Sequence, residues 1–345
     1  MTSTSVGKHP TALHLTGLPI LQVVLNVERM TEKLAPLLVP LAGPDGPPPV
    51  TYAKLLAYKQ GNRGTIRYQV ATEGSPTTVL GKLYPQASQA ARVDAILQGL
   101  AGAFAATPDL GAPRPLGCLP DLAMLVYVPV EGEVLDEVLQ ADDGRAASAI
   151  EHSAAWLATL HRARFEHDRR FQPSLELVNL QAWGALVSQA HPDLAATVTR
   201  LTDRLQGSVA RLAFRDDTPI HKDFHYKHVL VDGGLRVIDF DEVRLGDPAY
   251  DVAHFCVHLR LLACRTLGDP AGYADFERAF LLAYTRRAGT VPRDRYAWFA
   301  TYTCVKIAKQ LCTTRGVRPR PDGEELRRQV RVMLAQGLAY SADLP

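Results

Sequence analysis

His221-Lys222-Asp223-Phe224-His225-Tyr226-Lys227-His228 runs into Val229-Leu230-Val231, then Asp232-Gly233-Gly234, then Leu235-Arg236-Val237-Ile238-Asp239-Phe240-Asp241. Two short apolar runs joined by Asp-Gly-Gly have the chemistry of a β-hairpin. With those three residues as the loop, Val231 faces Leu235, and the register sets His228 opposite Ile238. Asp239 is then the next neighbour of His228, at a separation of roughly 5 to 8 Å. An imidazole and a carboxylate are thus paired by local sequence alone. Asp223, five residues before His228 on the loop leading into the hairpin, can set a third polar group over the same place.

The rest of the chain arranges itself around this segment. Residues 1–50 hold one short helical pattern, 27–35, followed by the Pro/Gly tract 43–49, which suits neither a helix nor a strand interior. They read as a helical cap and linker. In residues 51–130 the period becomes two: Ile66, Tyr68 and Val70 alternate with Arg67 and Gln69, and 79–84 is a further short apolar run. A helical pattern at 86–104 interrupts these strands, and 115–118 with 122–128 reads as another hairpin about a Leu-Pro-Asp turn. Residues 131–345 are largely helical, with patterns at 147–165, 177–206, 249–267, 273–288, 293–314 and 323–338. The expected class is α+β, a small antiparallel sheet lobe followed by a large helical lobe. No internal repeat or low-complexity tract is present.

Composition narrows the partners. Thirty-eight basic residues against 36 acidic give a net charge of +2, so no global field draws the protein to nucleic acid or to an anionic membrane. The apolar stretch 18–25 is broken by Pro19 and Gln22, well short of the roughly 20 residues a membrane span needs. No signal-peptide cleavage pattern follows it. Five cysteines without a CxxC pair suit a reducing compartment, and a cytoplasmic location is expected. The oligomeric state is not written in the sequence.

Phosphoryl transfer uses parts of the kind found at 221–241: a carboxylate for the acceptor's proton and ligands for a metal that bridges phosphates. It also needs a cation for the phosphates, and Lys82, beside Leu80 on one strand face, is the candidate. The motifs HKDFHYKHVLV, VIDFD and GDPAYD resemble the phosphotransferase family that includes aminoglycoside, choline and homoserine kinases, with its pattern HGDxHxxNxLx, IDxx and GDPxxD. The resemblance is specific over residues 221–251 and extends across most of the chain. It implies a two-lobed, protein-kinase-like fold that uses ATP with Mg²⁺ or Mn²⁺ to phosphorylate a hydroxyl of a small molecule. By that resemblance Asp223 is the catalytic base, His228 and Asp239 are the metal ligands, and Lys82 binds phosphate. Leu125, Val126, Tyr127 and Val128 form the hinge beside adenine, and Gly61 and Gly64, flanking Asn62-Arg63, form a short phosphate-covering turn.

This sequence departs from the pattern in places. His228 stands where the family has asparagine, and an imidazole suits manganese or zinc better than magnesium, so either metal preference or activity is altered. Lys222 replaces a glycine. The helix at 86–104 has Asp94 as its only acid and lacks the glutamate expected to anchor Lys82. His221 reads as a general base or as a brace for the loop, and Asp241 as a supporting acid or a substrate contact. Asp247 before Pro248 has the form of a helix N-cap, and Asp251 that of a group holding the catalytic loop.

Two rival readings follow from the same residues. His254 and His258, at i and i+4, have the spacing of a zinc pair and, with His221, His225 and His228, suggest a metal-dependent hydrolase, although the glutamate of HExxH is missing. The substitution at 228 suggests a nucleotide-binding pseudokinase that acts as a scaffold. As for the acceptor, residues 249–345 hold fifteen Arg and Lys against nine Asp and Glu. That surplus disfavours polycationic acceptors and favours a neutral or anionic metabolite.

Overall fold

The computed structural model describes residues 18–59, 61, 63–141, 143–164, 168–313 and 323–345. Asn62 of the glycine turn, and Phe165 and Thr314 at the ends of two expected helices, lie outside the described residues. The chain forms two compact units, Met1–Gly102 with Ala112–Val130, and Ala103–Gly111 with Glu131–Pro345.

The first unit contains helices α1 (Leu18–Val24) and α2 (Val27–Leu34), strands β1 (Val50–Lys59), β2 (Arg63–Val70) and β3 (Thr77–Leu83), helix α3 (Ala87–Ala103), and strands β5 (Arg114–Leu119) and β6 (Met124–Val128), β4 (Leu110–Gly111) belonging to the second unit. The sheet is antiparallel in the order β1-β2-β3-β6-β5. Alternation in β2 sends Ile66, Tyr68 and Val70 to one face, where Val79 and Leu83 of β3 and Met124 and Val126 of β6 join them. Val24, Met30 and Leu34 cover that face, and the Tyr68 hydroxyl donates to the Val24 carbonyl at 2.8 Å. Each large side chain so buried contributes roughly 1.5–3 kcal/mol. The 18–24 stretch, expected only to be apolar, is therefore a helix whose Val24 is fully buried. Its proline occupies the second position, where no intrahelical N–H is needed. Gly81 is required by close approach, since a Cβ there would sit 2.7 Å from Met124 Sδ and 2.9 Å from the Tyr68 ring.

The second unit continues with β7 (Glu133–Val134), α4 (Leu135–Gln140), α5 (Ala146–Arg162), α6 (Leu177–Ala190), α7 (Ala195–Val209), β8 (Thr218–Ile220), β9 (Val229–Val231), β10 (Leu235–Val237), β11 (Arg244–Gly246), α8 (Ala249–Thr266), α9 (Ala274–Ala288), α10 (Arg293–Thr313) and α11 (Gly323–Ser341). The single helix expected over 177–206 is two, because His191-Pro192 cannot carry the helical hydrogen bonds through and a 3₁₀ turn, Pro192–Leu194, takes their place. Tyr250, Trp298, Phe299, Tyr302, Leu201, Val330 and Phe171 are buried together in the core formed by α6, α7, α8, α10 and α11. No helix among the described residues is long and apolar enough to cross a membrane. All five cysteines are free thiols.

The hairpin forms in the expected register. Val231 pairs with Leu235 and Val229 with Val237, and the Ile238 N–H donates to the His228 carbonyl at 3.0 Å. Gly233 takes φ +59° in the turn, and a Cβ on Gly234 would drive into the Asp109 carbonyl. The hairpin lies in a four-stranded sheet of order β4-β10-β9-β7.

Candidate active site

The segment 221–228 leaves β8, which pairs with β11, and passes through a 3₁₀ turn, Tyr226–His228, into β9. Its apolar side is fixed by one large ring. Trp156 of α5 stacks on Phe224 at 5.6 Å between ring centres, on Phe104 at 5.2 Å from its other neighbour, and donates its indole N–H to the Gly111 carbonyl at 2.8 Å. Phe240 and His221 pack at tilted and edge angles against the same indole.

The polar side is held by α8. Asp251, fully buried in the first turn, accepts the His221 N–H on Oδ2 at 2.6 Å and the Lys222 N–H on Oδ1 at 2.8 Å, while His161 Nε2 lies 3.1 Å from Oδ2. Burial alone would raise this carboxyl's pKa, but the His161 and His221 contacts outweigh it and hold it below the usual carboxylate range. Lys222 adopts φ +67°, the conformation that the glycine of the resembled pattern takes freely. Burial and the charge of Arg244 push its ammonium down to about 8, against the opposing pull of Glu176 and Glu242, each 3.8 Å away.

His221 is fully buried. Its Nδ1 accepts the Asp223 N–H at 3.3 Å, so Nε2 carries the hydrogen and donates to the Ile238 carbonyl at 3.2 Å. Desolvation pushes its pKa down to about 4, partly opposed by Asp251. A neutral ring with both nitrogens engaged ties the loop to Ile238, next to Asp239, and of its two expected roles the hydrogen bonds fit the brace.

His228 Nδ1 lies 2.9 Å from the Asp223 carbonyl, which only accepts, so in the neutral ring that nitrogen carries the hydrogen. Nε2 then presents a lone pair, 3.8 Å from Asp239 Oδ2. An imidazole whose other N–H is spent on a backbone carbonyl is the usual form of a metal ligand. Asp239 itself, two residues beyond β10, sits at φ +67°. The donor pair thus fits a divalent cation.

The Asp223 carboxylate, 31% exposed, has Oδ2 at 3.6 Å from His228 Nδ1 and 3.8 Å from His225 Nε2, and Oδ1 at 3.5 Å from His254 Nε2 and 3.7 Å from Lys306 Nζ. Burial would raise its pKa. The His225 and His254 contacts and the Lys306 charge outweigh that and keep it ionised far below the ordinary range. Asp223, His225 and His228 offer ligand atoms within 4.8 Å of one another. His225 Nδ1, however, accepts the Lys227 N–H at 3.2 Å, which leaves its hydrogen on Nε2 facing Asp223, the arrangement of a brace rather than a ligand.

The remaining expected residues are distributed as follows. Asp247 is fully buried; Oδ1 accepts the Ala249 N–H at 2.9 Å, as an N-cap does, and Oδ2 also takes the Arg215 N–H and the Arg295 guanidinium at 2.8 Å. The Asp241 carbonyl accepts from Arg169 at 3.3 Å. In the first unit, Lys82 lies on the β3 face shared with Leu80, paired in register with Leu125 of β6, and its Nζ stands 5.7 Å from the Tyr84 ring centre. Leu80 pairs with Tyr127, and Gly81 with Val126; Val128 pairs with Arg114. Gly61 turns between β1 and β2 at φ +70°, and Gly64 opens β2 opposite Leu83. Asp94 Oδ1 is buried without a hydrogen bond among the described residues, and burial raises its pKa.

His254 and His258 lie with ring centres 4.4 Å apart, tilted by 46°, but among the described residues they join no group of three potential metal ligands. Lys306 and the facing of His254 onto Asp223 were not anticipated from the sequence; no motif links α8 and α10 to the loop.

The model of the phosphotransferase enzyme family matches residues 57–299. No curated protein matches the chain in sequence. Among solved structures, a Ralstonia eutropha JMP134 protein of the aminoglycoside phosphotransferase type superposes with a TM-score of 0.65 at 13% identity, over 93% of this chain and 99% of the other. The amicoumacin kinase hAmiN, solved in complex with AMP-PNP, Ca²⁺ and Ami, gives 0.58 at 16% identity over 90% and 94%. The choline kinase LicA of Streptococcus pneumoniae gives 0.55 at 16% identity over 90% and 98%. These likenesses establish a protein-kinase-like fold with a small antiparallel sheet lobe and a larger helical one.

Proposed function

This chain belongs to the phosphotransferase enzyme family and is a small-molecule kinase, and we propose that it moves the γ-phosphoryl group of ATP to a hydroxyl of a neutral or anionic small molecule, with Asp223 as the base. The observation that carries this reading is the hairpin pairing of His228 Nε2 with Asp239 Oδ2 at 3.8 Å, beside a partly exposed Asp223. A divalent cation held by that pair, Mg²⁺ or Mn²⁺, would neutralise charge on the phosphate oxygens.

Asp223 orients the acceptor hydroxyl and takes its proton late, as the new O–P bond forms and the bond to the β-phosphate oxygen breaks, releasing ADP. Its lowered pKa suits a positioning carboxylate that stays ionised. His221, His225 and Asp251 hold that carboxylate and its loop in place. In the first unit, Lys82 supplies the phosphate cation, Gly61 and Gly64 the covering turn, and residues 125–128 the adenine contact. Asp241 serves as a supporting acid.

The test is ADP release with Mg²⁺ or Mn²⁺ across a panel of hydroxyl compounds. Asp223→Asn is expected to abolish turnover with nucleotide affinity nearly unchanged, whereas Asp239→Asn weakens binding of the metal nucleotide itself. Equal loss of both properties in both variants contradicts these roles. Nucleotide binding without acceptor-dependent ADP release supports the scaffold reading that His228 motivates.

A further inference from the structure

We infer that the acceptor carries an anionic group close to the hydroxyl that is phosphorylated, and that Lys306 of α10 binds it. This deepens the kinase reading and rests on it, because it takes Asp223 as the carboxylate that meets the acceptor.

Asp223 presents its two oxygens to different surroundings. Oδ2 faces His228 and His225, the hairpin side on which Asp239 lies. Oδ1 faces Lys306 Nζ at 3.7 Å and His254 Nε2 at 3.5 Å, the side of α8 and α10. In an in-line displacement the acceptor approaches phosphorus from the face opposite the leaving group. Phosphates belong with the His228–Asp239 pair, so the body of the acceptor extends along the Oδ1 side, over Lys306.

The charges around the loop are otherwise matched. Lys227 pairs with Asp136 at 2.5 Å, Lys222 with Glu176 and Glu242, Arg244 with Glu242 at 3.1 Å, and Arg295 with Asp247 at 2.8 Å. Among the described residues, the carboxylate partner of Lys306 is Asp223 itself, the group that a bound acceptor must share. Lys306 Nζ also lies 3.3 Å from the Tyr250 hydroxyl, which holds the ammonium in place, and its side chain is only 17% exposed. A half-buried, positioned ammonium repels a cationic acceptor and rewards an anionic one. On the same side, the buried Nε2 of His254 faces the same Asp223 oxygen at 3.5 Å. The acceptor class is therefore a small hydroxy acid or a phosphorylated alcohol.

The experiment uses the full chain with Mn²⁺ and ATP and follows ADP release with acceptors matched in size and differing in charge: glycerate, glycerol and 3-aminopropane-1,2-diol, then gluconate, glucose and glucosamine. The anionic member of a series is expected to exceed the neutral one in kcat/KM by roughly tenfold or more, and the cationic one by more still. In Lys306→Met that preference disappears through a rise in the acceptor's KM, with kcat within about threefold and the KM for ATP unchanged. Lys306→Arg retains the preference, which separates a charge effect from misfolding. A neutral or cationic compound as the best substrate overturns the inference and leaves the kinase reading standing. So does a Lys306→Met variant that loses kcat at unchanged acceptor KM. Absence of ADP release above background with every acceptor removes the kinase reading, and this inference with it.

Discussion

His228 occupies the position where the family pattern has asparagine, and its geometry bears directly on the proposed metal site. An asparagine offers one carbonyl oxygen to a cation; here Nε2 offers a nitrogen, and the other ring nitrogen is used by the Asp223 carbonyl at 2.9 Å. In the proposed metal site this is a softer donor than an amide oxygen. Nitrogen donors favour manganese over magnesium. His228→Asn is therefore expected to raise the ratio of Mg²⁺- to Mn²⁺-supported kcat/KM by roughly tenfold. A ratio that does not change would remove His228 from the metal's coordination sphere. Lys222 is the second exchange. Its φ of +67° costs of order 1–2 kcal/mol for a side chain with a Cβ, and the two short hydrogen bonds to Asp251 hold the loop in that conformation.

At the scale of elements, the loop depends on α5 and α8, which lend it an aromatic wall and a carboxylate. Asp251→Ala leaves one buried and one half-buried N–H group without their acceptor, and an orphaned buried donor costs about 1–3 kcal/mol. The variant is expected to lose several kcal/mol in denaturant unfolding and to lose turnover even under conditions where it remains folded. Retention of wild-type kcat in folded Asp251→Ala would mean that the loop positions itself without α8.

The hairpin was legible in the sequence because Asp-Gly-Gly between two apolar runs admits one register in which the branched residues face each other. The two-lobe division was equally legible, because strand and helix periods separate near residue 131. The groups that surround Asp223 were not. Lys306 and His254 arrive from helices whose patterns report only a buried stripe, and their approach to the loop is set by packing over long sequence distances. The break between α6 and α7 was signalled by Pro192, but a continuous apolar period on both sides masked it. Helix α1 was obscured by a proline that only its position in the first turn makes harmless.

At the scale of the whole molecule, the site gathers the buried imidazoles of His221, His254 and His258 with half-buried His225 in one unit. His221 is pushed down to about 4 and His254 to about 3, in both cases first by burial, and His225 and His258 are lowered as well. In the unfolded chain these rings titrate near the ordinary value of about 6.5. Below that pH the unfolded chain binds protons that the folded one declines, so stability is intact above about 6.5 and falls as pH drops toward 4. His221 alone accounts for roughly 3 kcal/mol over that window. Ionised Asp223 and Asp251, with lowered values, lose their contribution only at still lower pH. The melting temperature is expected to decline steadily between pH 7 and 4.5, with a shallower slope in His254→Gln. A flat profile over that range would contradict burial of neutral imidazoles.

The most direct test of the whole account is pulsed electron paramagnetic resonance of Mn²⁺ bound with AMP-PNP to the full chain. Nitrogen coupling from one imidazole is expected, lost in His228→Asn and retained in His225→Asn, with Asp239→Asn weakening Mn²⁺ binding. Nitrogen coupling that survives His228→Asn, or that vanishes only in His225→Asn, would contradict it.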